Sequence, residues 1–449
     1  MNILIVGLGE VGSHLAKVLS TEGHAVTIVD PDRHKLQRVA DLLDVQSVHG
    51  DGSRPDVLDQ AEAHRADLLL AVSNDDKVNM LTCLFGKRIG AKKTVLRLKD
   101  TAALQRSKTF FKKNLLYDLL LSLDDLASEE LIGCIRLNRA IGVDHFADGR
   151  VQMRRFKIDE SSNFVGVAFK DLKIPKAVLI TAIDRDHEVI VPGGEDVFAV
   201  GDEIFVLGEP KDIASFEKKT GAKPHYLKNL VVYGSSGVAV KVCKAMQADH
   251  VAVRVIVDDR EEAERLSEVL EGVTVLHAEA TDLNFLQEER IGDSNVFVGA
   301  SEEDELNLMS CQLARNLGVG RTFALVQKPD YAELYQQLGV DRAISPRTLC
   351  SDSILSFVRG GSVSAIATFE EGKASTVEVV VRPGSRLVGV SLKSAGFPRG
   401  SVVCAIMRED GEVLLPTGED EFLANDRLVI FCLKRVAEEV NRLVEIDVE

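Results

Sequence analysis

The chain has 449 residues, with 45% hydrophobic residues, 28% charged residues and a formal net charge of −16. This length predicts about three or four domains, and the composition is typical of globular modules. The negative charge argues against a nucleic-acid backbone as partner, and the lack of Trp with only 5% aromatic residues argues against single-strand stacking platforms.

The cysteines and the apolar runs bear on the compartment. There are seven cysteines, an odd count, and no two of them form a C-x-x-C pair. The pattern predicts neither a zinc ribbon nor a disulfide framework. The N-terminus enters a strand at once, without a signal peptide, and no apolar run approaches the roughly 18 residues that span a bilayer. We expect a cytosolic protein, with any membrane role coming through a partner.

The first thirty residues combine a strand, a glycine turn, a helix and a second strand. Residues 2–6 (NILIV) predict a buried parallel strand, and residues 25–29 (AVTIV) predict a second one that ends on Asp30. Apolar residues at helical spacing lie between them. The turn after the first strand has G-x-G-x-x-G spacing and comprises Gly7, Leu8, Gly9, Glu10, Val11 and Gly12. This succession is a dinucleotide-binding fingerprint.

Each part of the fingerprint has a physical role. Gly7 permits the tight turn, Gly9 lets the backbone approach a pyrophosphate, and Gly12 lets helix and strand pack closely. The helix N-terminus offers unpaired N–H groups to phosphates. Asp30 accepts hydrogen bonds from ribose hydroxyls and repels a 2′-phosphate, which favours NAD or adenine nucleotides over NADP. The alternative is that the glycines form only a turn between strand and helix.

An internal repeat organises the rest of the chain. Residues 48–83 align without a gap on residues 276–311, so that VHGDGS matches LHAEAT. The sequence therefore predicts two α/β, Rossmann-like domains with doubly wound parallel sheets, at 1–121 and 228–345. Helical connections at 122–140 and 346–360 follow them. Two small α+β modules, at 141–225 and 361–449, form a second repeat of short alternating strands and Gly/Pro/Asp turns.

This order of domains resembles the RCK family, in which Rossmann-like KTN modules alternate with small TrkA-C modules. The resemblance rests on the G-L-G-E-V-G turn, on Gly50-Asp51-Gly52 and on the run from Ser73 to Asn79, and it covers essentially the whole chain. Two copies without a pore are similar to the regulatory subunits of Trk-type potassium-uptake systems. The resemblance implies a homotetrameric ring on the cytoplasmic face of the membrane. Such a ring binds NAD(H) or ATP/ADP and gates a potassium transporter of the Trk type.

The resemblance also implies roles for further residues of the first domain. The position of Asp51 lies near the adenine in the family, and Ser73 and Asn74 line the cleft beyond the fourth strand. Arg97 stands where the family often has an arginine that contacts phosphate, and a guanidinium can hold two phosphate oxygens at once. The alternative for Arg97 is a surface residue of its strand.

The second domain departs from this pattern. Its candidate site residues are Gly234, Ser235, Ser236, Gly237 and Asp258. Ser236 replaces the second glycine, which crowds the approach to a pyrophosphate, and Leu325 replaces Arg97. We expect either a degenerate or differently selective nucleotide site or a purely structural domain.

The fingerprint alone also permits an enzyme, namely an NAD-dependent oxidoreductase. Such an enzyme needs a substrate domain that supplies a general acid or base beside the nicotinamide. The partner modules here are small, turn-rich and duplicated. A duplicated nucleotide sensor without catalytic or metal-binding residues is the preferred hypothesis.

Overall fold

The structure is a computed structural model of the chain. It describes residues 1–99, 101, 111, 114–136, 140–160, 162–172, 174–175, 177–185, 188–219, 227–358, 363–369 and 373–444. Contacts divide the chain into two compact units. One unit consists of residues 1–135 and 227–355, and the other of residues 136–226 and 356–449. The α/β domains share the first unit, and the small domains share the second.

The first α/β domain has a parallel six-stranded sheet. Its strands are β1 (Asn2–Val6), β2 (Ala25–Asp30), β3 (Gln46–His49), β4 (Leu68–Ala71), β5 (Lys93–Leu98) and β6 (Leu119–Ser122). Its helices are α1 (Glu10–Thr21), α2 (Arg33–Ala40), α3 (Pro55–Gln60) and α4 (Asp76–Ile89). The strand order is β3-β2-β1-β4-β5-β6, so the order reverses between β1 and β4. Ligands of doubly wound folds bind at the carboxyl edge at this point.

Local sequence explains these elements. Four of the five residues of β1 are buried, as the apolar run NILIV requires of a central strand. Helix α1 buries Val11, Leu15 and Leu19, which recur at helical spacing. The Asp32 and Asp75 carboxylates cap α2 and α4 by accepting backbone N–H groups of the first turn.

A long helix, α5 (Leu123–Arg136), follows β6 and leads to the first small domain. That domain contains β7 (Ala140–Phe146), β8 (Val151–Lys157), β9 (Val178–Arg185), β10 (Glu188–Ile190), β11 (Glu203–Gly208) and α6 (Pro210–Lys219). The helical connection expected at 122–140 is therefore a helix over most of its length. Residues 137–139 lie outside the described residues.

The second α/β domain repeats the first. Its strands are β12 (Asn229–Tyr233), β13 (Ala252–Val257), β14 (Thr274–His277), β15 (Val296–Gly299), β16 (Arg321–Leu325) and β17 (Arg342–Ile344). Its helices are α7 (Gly237–Ala248), α8 (Arg260–Val269), α9 (Leu283–Glu288), α10 (Asp304–Asn316) and α11 (Tyr331–Gln337). The strand order, β14-β13-β12-β15-β16-β17, matches that of the first sheet.

The last part of the chain repeats the connection and the small domain. It contains α12 (Pro346–Val358), β18 (Val363–Phe369), β19 (Ala374–Val380), β20 (Ser401–Met407), β21 (Val413–Leu414), β22 (Arg427–Leu433) and α13 (Ala437–Val444). The two antiparallel sheets have the orders β10-β9-β11-β8-β7 and β18-β19-β22-β20-β21. Read from opposite ends, these orders are the same topology.

Helix α5 packs on the second α/β domain rather than ending with the first. Ala127, Leu131, Cys134 and Ile135 form one face of the helix, and each is at most 3% exposed. They share a core with residues of the second sheet and of α7. Full burial of a leucine side chain stabilises a fold by about 1.5–3 kcal/mol. This face therefore joins the two α/β domains into one unit.

The two small domains also share a core. Phe205 of the first sheet and Phe431 of the second have ring centroids 6.3 Å apart. Glu378, which is 1% exposed, accepts the backbone N–H of Ala147 at 2.7 Å and the Arg427 Nε–H at 2.7 Å. A buried carboxylate needs such partners because desolvation disfavours its charge.

The fold class is confirmed. Both α/β domains have parallel, doubly wound sheets, and a small domain with an antiparallel sheet follows each of them. Of the helices that the structure describes, none has the length and apolar character to cross a bilayer.

Candidate nucleotide-binding site

The glycine turn of the first domain is built by close backbone contacts. Gly7 has a φ of +102°, and a Cβ on it would lie 2.5 Å from the Ser73 Cα. A Cβ on Gly12 would lie 1.9 Å from the Gly7 carbonyl oxygen. Both glycines are therefore required by the packing of β1, α1 and the loop after β4.

Gly9 is different, because nothing in the part of the chain that the structure describes requires a glycine there. Its φ is −73°, an ordinary value, and its nearest neighbour, the Asn74 Oδ1, would lie 3.5 Å from a Cβ. Gly9 is the N-cap of α1, and no side chain of the described residues caps this helix. The turn thus leaves open space beside N–H groups that carry the positive end of the helix dipole. A phosphate fits this combination.

The other residues of the turn are divided by burial. Leu8 and Val11 are 1% and 4% exposed and belong to the core, whereas Glu10 is exposed. Leu8 and Val11 are therefore placed to contribute their backbone rather than their side chains to a ligand.

Asp30 fixes the turn from the end of β2. It is 5% exposed, and its Oδ2 accepts the Leu8 N–H at 2.7 Å while its Oδ1 accepts the Asp32 N–H at 2.8 Å. Each carboxylate oxygen has a second lone pair. Asp30 can therefore orient the glycine turn and still accept a ribose hydroxyl.

Arg97 lies near the end of β5 and holds the loop that follows β4. Its Nη1 donates to the carbonyl oxygens of Val72 and Ser73, at 3.2 and 2.6 Å, and to the Asn74 Oδ1 at 3.2 Å. Burial lowers the pKa of Arg97, and its buried Nε has no hydrogen-bond partner in the described structure. Arg97 is 7% exposed, so the alternative of a surface strand residue is wrong.

One member of this cluster, Asn79, belongs to the run on which the family resemblance rests but is not among the predicted site residues. Asn79, 0% exposed, accepts the Ser73 N–H with its Oδ1 and donates to the carbonyl oxygens of Ser73 and Arg97. Asn307 makes the same three bonds, to Ser301 and Leu325, in the second domain. The signal was present, because the repeat alignment pairs these asparagines. In each domain the asparagine links the loop after the fourth strand to the end of the fifth strand.

Asp51 stands apart from these contacts. It is exposed, and its Oδ1 accepts the backbone N–H and the hydroxyl of Ser53 at 2.9 and 2.8 Å. It follows β3, so it lies at the same carboxyl edge of the sheet as the glycine turn. Its predicted role near an adenine stays a prediction.

The second domain keeps the glycine turn, but a side chain caps the helix that follows it. Gly234 has a φ of +111°, close to the +102° of Gly7. The Ser236 hydroxyl accepts the Ala239 N–H at 3.2 Å and donates to the Ala300 carbonyl oxygen at 2.6 Å. Ser236 is thus the N-cap of α7, where α1 has no side-chain cap.

The remaining predicted residues of the second domain lie around this turn. Ser235 hydrogen-bonds to Glu262 of α8, and Asp258 is exposed and accepts a bond from the Tyr233 hydroxyl at 3.3 Å. Leu325, which replaces Arg97, belongs to the apolar core that includes α5. The structure therefore places a buried arginine beside the loop after β4 in the first domain, where the second domain has a leucine, and it caps the helix start with a side chain in the second domain.

Metal ligation is not suggested by the described residues. They contain no group of three or more His, Cys, Asp or Glu side chains that could hold a metal ion. All seven cysteines lie among the described residues and are buried, and none of them forms a disulfide bond.

Fold and site define a class of protein: a tandem of Rossmann-like domains, each followed by a small antiparallel domain, with a glycine turn of G-x-G-x-x-G spacing in the first half. The TrkA-N domain family matches residues 3–112 and 230–346, and the TrkA-C domain family matches residues 153–221 and 376–445. The chain belongs to the TrkA family, which confirms the predicted family resemblance.

Individual relatives agree over the full length. The chain is 34% identical to the Trk system potassium uptake protein TrkA homolog of Archaeoglobus fulgidus, over 96% of this chain and 97% of that protein. It is 30% identical to the Trk system potassium uptake protein TrkA of Haemophilus influenzae, over 99% of both. The GsuK channel bound to NAD has the same fold, with a TM-score of 0.63 and 14% identity over 99% of this chain and 78% of that one.

Proposed function

We propose that this chain is the nucleotide-binding regulatory subunit of a membrane potassium-uptake transporter of the Trk type. Membership of a family whose curated relatives are named potassium uptake proteins supports the transport role. The observation that supports nucleotide binding is Gly9, a glycine that the packing of the chain does not require, beside an uncapped helix N-terminus.

The ligand is an adenine nucleotide, either NAD(H) or ATP/ADP. The diphosphate lies on residues 7–12, and Asp30 accepts the ribose hydroxyls. A 2′-phosphate would meet the buried Asp30 carboxylate, so NADP is disfavoured. Arg97 already has its Nη1 occupied by Ser73 and Asn74, and it is placed to sense phosphate number through the loop that it holds.

Regulation works through shape rather than turnover. Nucleotide in the first-domain cleft shifts the arrangement of a homotetrameric ring of domains, which sits on the cytoplasmic face against the transporter. A ligand shifts such an equilibrium only by its differential affinity for the two states. ATP and ADP, or NADH and NAD, must therefore bind the two states unequally.

The first experiment is isothermal titration of the full chain with ATP, ADP, NAD and NADH. We expect micromolar binding of at least one of them, lost in Asp30→Ala. The matched control is Asp258→Ala, which removes the corresponding acid of the second domain and is expected to leave this binding in place. Absence of binding by all four nucleotides would contradict the nucleotide-sensor role.

Two further measurements separate the hypotheses. Oxidation of NADH with a 2-oxo acid would instead favour the oxidoreductase that the fingerprint also permits. Potassium uptake by cells in which Asp30→Ala replaces the native chain reports on regulation. We expect uptake to lose its dependence on cellular nucleotide, and unchanged regulation would refute the proposed coupling.

A further inference from the structure

The start of α7 in the second domain is covered by a carboxylate from α5. A Cβ on Gly237, the first residue of α7, would lie 2.1 Å from the Asp124 Oδ2 and 3.1 Å from the carboxylate carbon. Any side chain at position 237 would therefore clash with the Asp124 carboxylate. The carboxylate lies against the first helical turn, where the first domain would receive a phosphate.

Charge makes this position favourable for Asp124. The N-terminal end of a helix carries partial positive charge and attracts anions. The Ser236 hydroxyl already accepts the Ala239 N–H of the same turn. A hydroxyl and a carboxylate of the chain itself thus occupy the place that a diphosphate would need.

The carboxylate is held there by its neighbours. The next residue, Asp125, forms an ion pair with Lys241 of α7, with its Oδ1 2.7 Å from the Nζ. Ala127 and Leu131, further along α5, are fully buried in the core of the second domain. Asp124 is therefore a fixed part of the second cleft and not a mobile surface acid.

The equivalent helix at the first cleft begins with the opposite charge. Aligning the Ser-x-x start of α5 at Ser122 with that of α12 at Ser345 places Arg347 at the position of Asp124. The packing agrees with this alignment. Ala127 shares a core with Leu325 in the second domain, and the matching Cys350 is buried beside Arg97 in the first.

Arg347 is available to a ligand. It is half-buried, and within the described ranges no hydrogen bond or ion pair engages its guanidinium. It lies close enough to Arg97 for the two positive charges to repel, which contributes to lowering the pKa of Arg97 after the larger effect of burial. An anion bound near both guanidinium groups would offset this repulsion.

We propose that the second residue of each connecting helix decides which glycine turn accepts a nucleotide. Asp124 fills the phosphate position of the second domain and excludes nucleotide, whereas Arg347 contacts the phosphates bound in the first. One nucleotide then binds per chain. This inference rests on the proposed nucleotide-binding function and adds which site is used and which residue of the second half completes it.

The test is equilibrium dialysis of the full chain with labelled ADP. We expect one ADP per wild-type chain. The second-site variants are made in the Asp30→Ala background, which weakens the first site. There, Asp124→Ala is expected to bind ADP at the start of α7, and Asp124→Arg is expected to bind ADP at the same place more tightly. Arg347→Asp, which gives the first cleft the charge of the second, should weaken the first site at least tenfold.

The matched control is Glu129→Ala. It removes an exposed carboxylate from the same helix, away from the start of α7, and should leave the stoichiometry at one. Asp124→Asn keeps the shape and removes only the charge, and serves if the alanine variant does not fold. Circular dichroism establishes folding for each.

Several outcomes would overturn the proposal. Two ADP per wild-type chain would refute the exclusion by Asp124 while leaving the nucleotide-binding function intact. Unchanged stoichiometry in folded Asp124→Ala and Asp124→Arg, with unchanged affinity in Arg347→Asp, would refute both halves. If the wild type bound no nucleotide, the proposed function would fail first, and binding gained in Asp124→Ala would still support the exclusion.

Discussion

Alanine substitutions at Gly9 and Gly12 distinguish a glycine that leaves room for a ligand from a glycine that the packing of the chain requires. Gly9→Ala places a methyl group where the nearest atom is 3.5 Å away and the φ of −73° is allowed. Gly12→Ala places the same methyl group 1.9 Å from the Gly7 carbonyl oxygen. The two variants add the same atoms three residues apart.

The expected magnitudes follow from these distances. Replacing glycine by alanine where the backbone allows it stabilises a protein by about 0.4–1 kcal/mol, but alanine is a poorer N-cap residue than glycine, so Gly9→Ala should fold about as stably as the wild type. Gly12→Ala forces α1 away from the turn, and overpacking of this kind destabilises by about 1–3 kcal/mol.

Affinity should separate the variants in the opposite way. The methyl group of Gly9→Ala lies in the path of the diphosphate and removes one hydrogen bond to a charged group, a loss of about 1.5–3 kcal/mol. Since about 1.4 kcal/mol corresponds to a factor of ten, ADP affinity should fall by roughly 10- to 100-fold. Gly12→Ala should affect affinity mainly through stability.

Urea unfolding and titration with ADP measure the two quantities on the same samples. A stable Gly9→Ala chain that bound ADP as tightly as the wild type would show that no phosphate lies on this turn. A Gly9→Ala chain as unstable as Gly12→Ala would refute the argument that space at Gly9 is reserved for a ligand.

Three further predictions concern stability. Ser236→Ala removes the cap of α7 and should lower the free energy of unfolding by about 1 kcal/mol without changing nucleotide stoichiometry, as urea unfolding and dialysis would show. Leu131→Ala, at a side chain that is 0% exposed, should destabilise the α/β unit by about 2–5 kcal/mol in urea unfolding. Leu126, on the same helix, is only half-buried, so a smaller loss of stability in Leu131→Ala than in Leu126→Ala would contradict the packing of α5. Burial raises the pKa of Asp202, but hydrogen bonds from Arg185 and from the Ala199 N–H outweigh this effect, so the pKa in the folded chain lies below its ordinary value of 3.8. The ionised carboxylate therefore stabilises the fold above pH 3.8, and this stabilisation is lost as the pH falls through the lowered pKa. Asp202→Asn should therefore reduce stability at neutral pH and flatten its decline below about pH 4 in thermal melts, and an unaltered pH profile would refute the assignment.

The sequence predicted most of the fold because periodicity and repetition carry local information. The run NILIV, the glycine spacing and the repeat of 48–83 at 276–311 place both parallel sheets. The pairing of the two small domains in one unit could not be predicted, because alternation shows that a strand has a buried face but not what covers it. Phe205 and Phe431 meet only in the folded chain.

The site was predictable in part for the same reason. Motif spacing identified Gly9 and Asp30, whose partners are near in sequence or in the next strand. It could not place Asp124 beside Gly237, because a connecting helix carries Asp124 to the other α/β domain. The same holds for Arg347 and its neighbour Arg97. Such long-range neighbours depend on the direction in which the helix leaves the sheet.

Helix α5 also bears on how the chain could have diversified. In a dimer of identical single repeats, the two connecting helices would begin with the same residue, and both glycine turns would face the same charge. Joining the repeats in one chain removes that constraint. One turn can then face Asp124 and the other Arg347, so duplication within a single gene product allows a sensing half and a structural half to arise from one ancestral design.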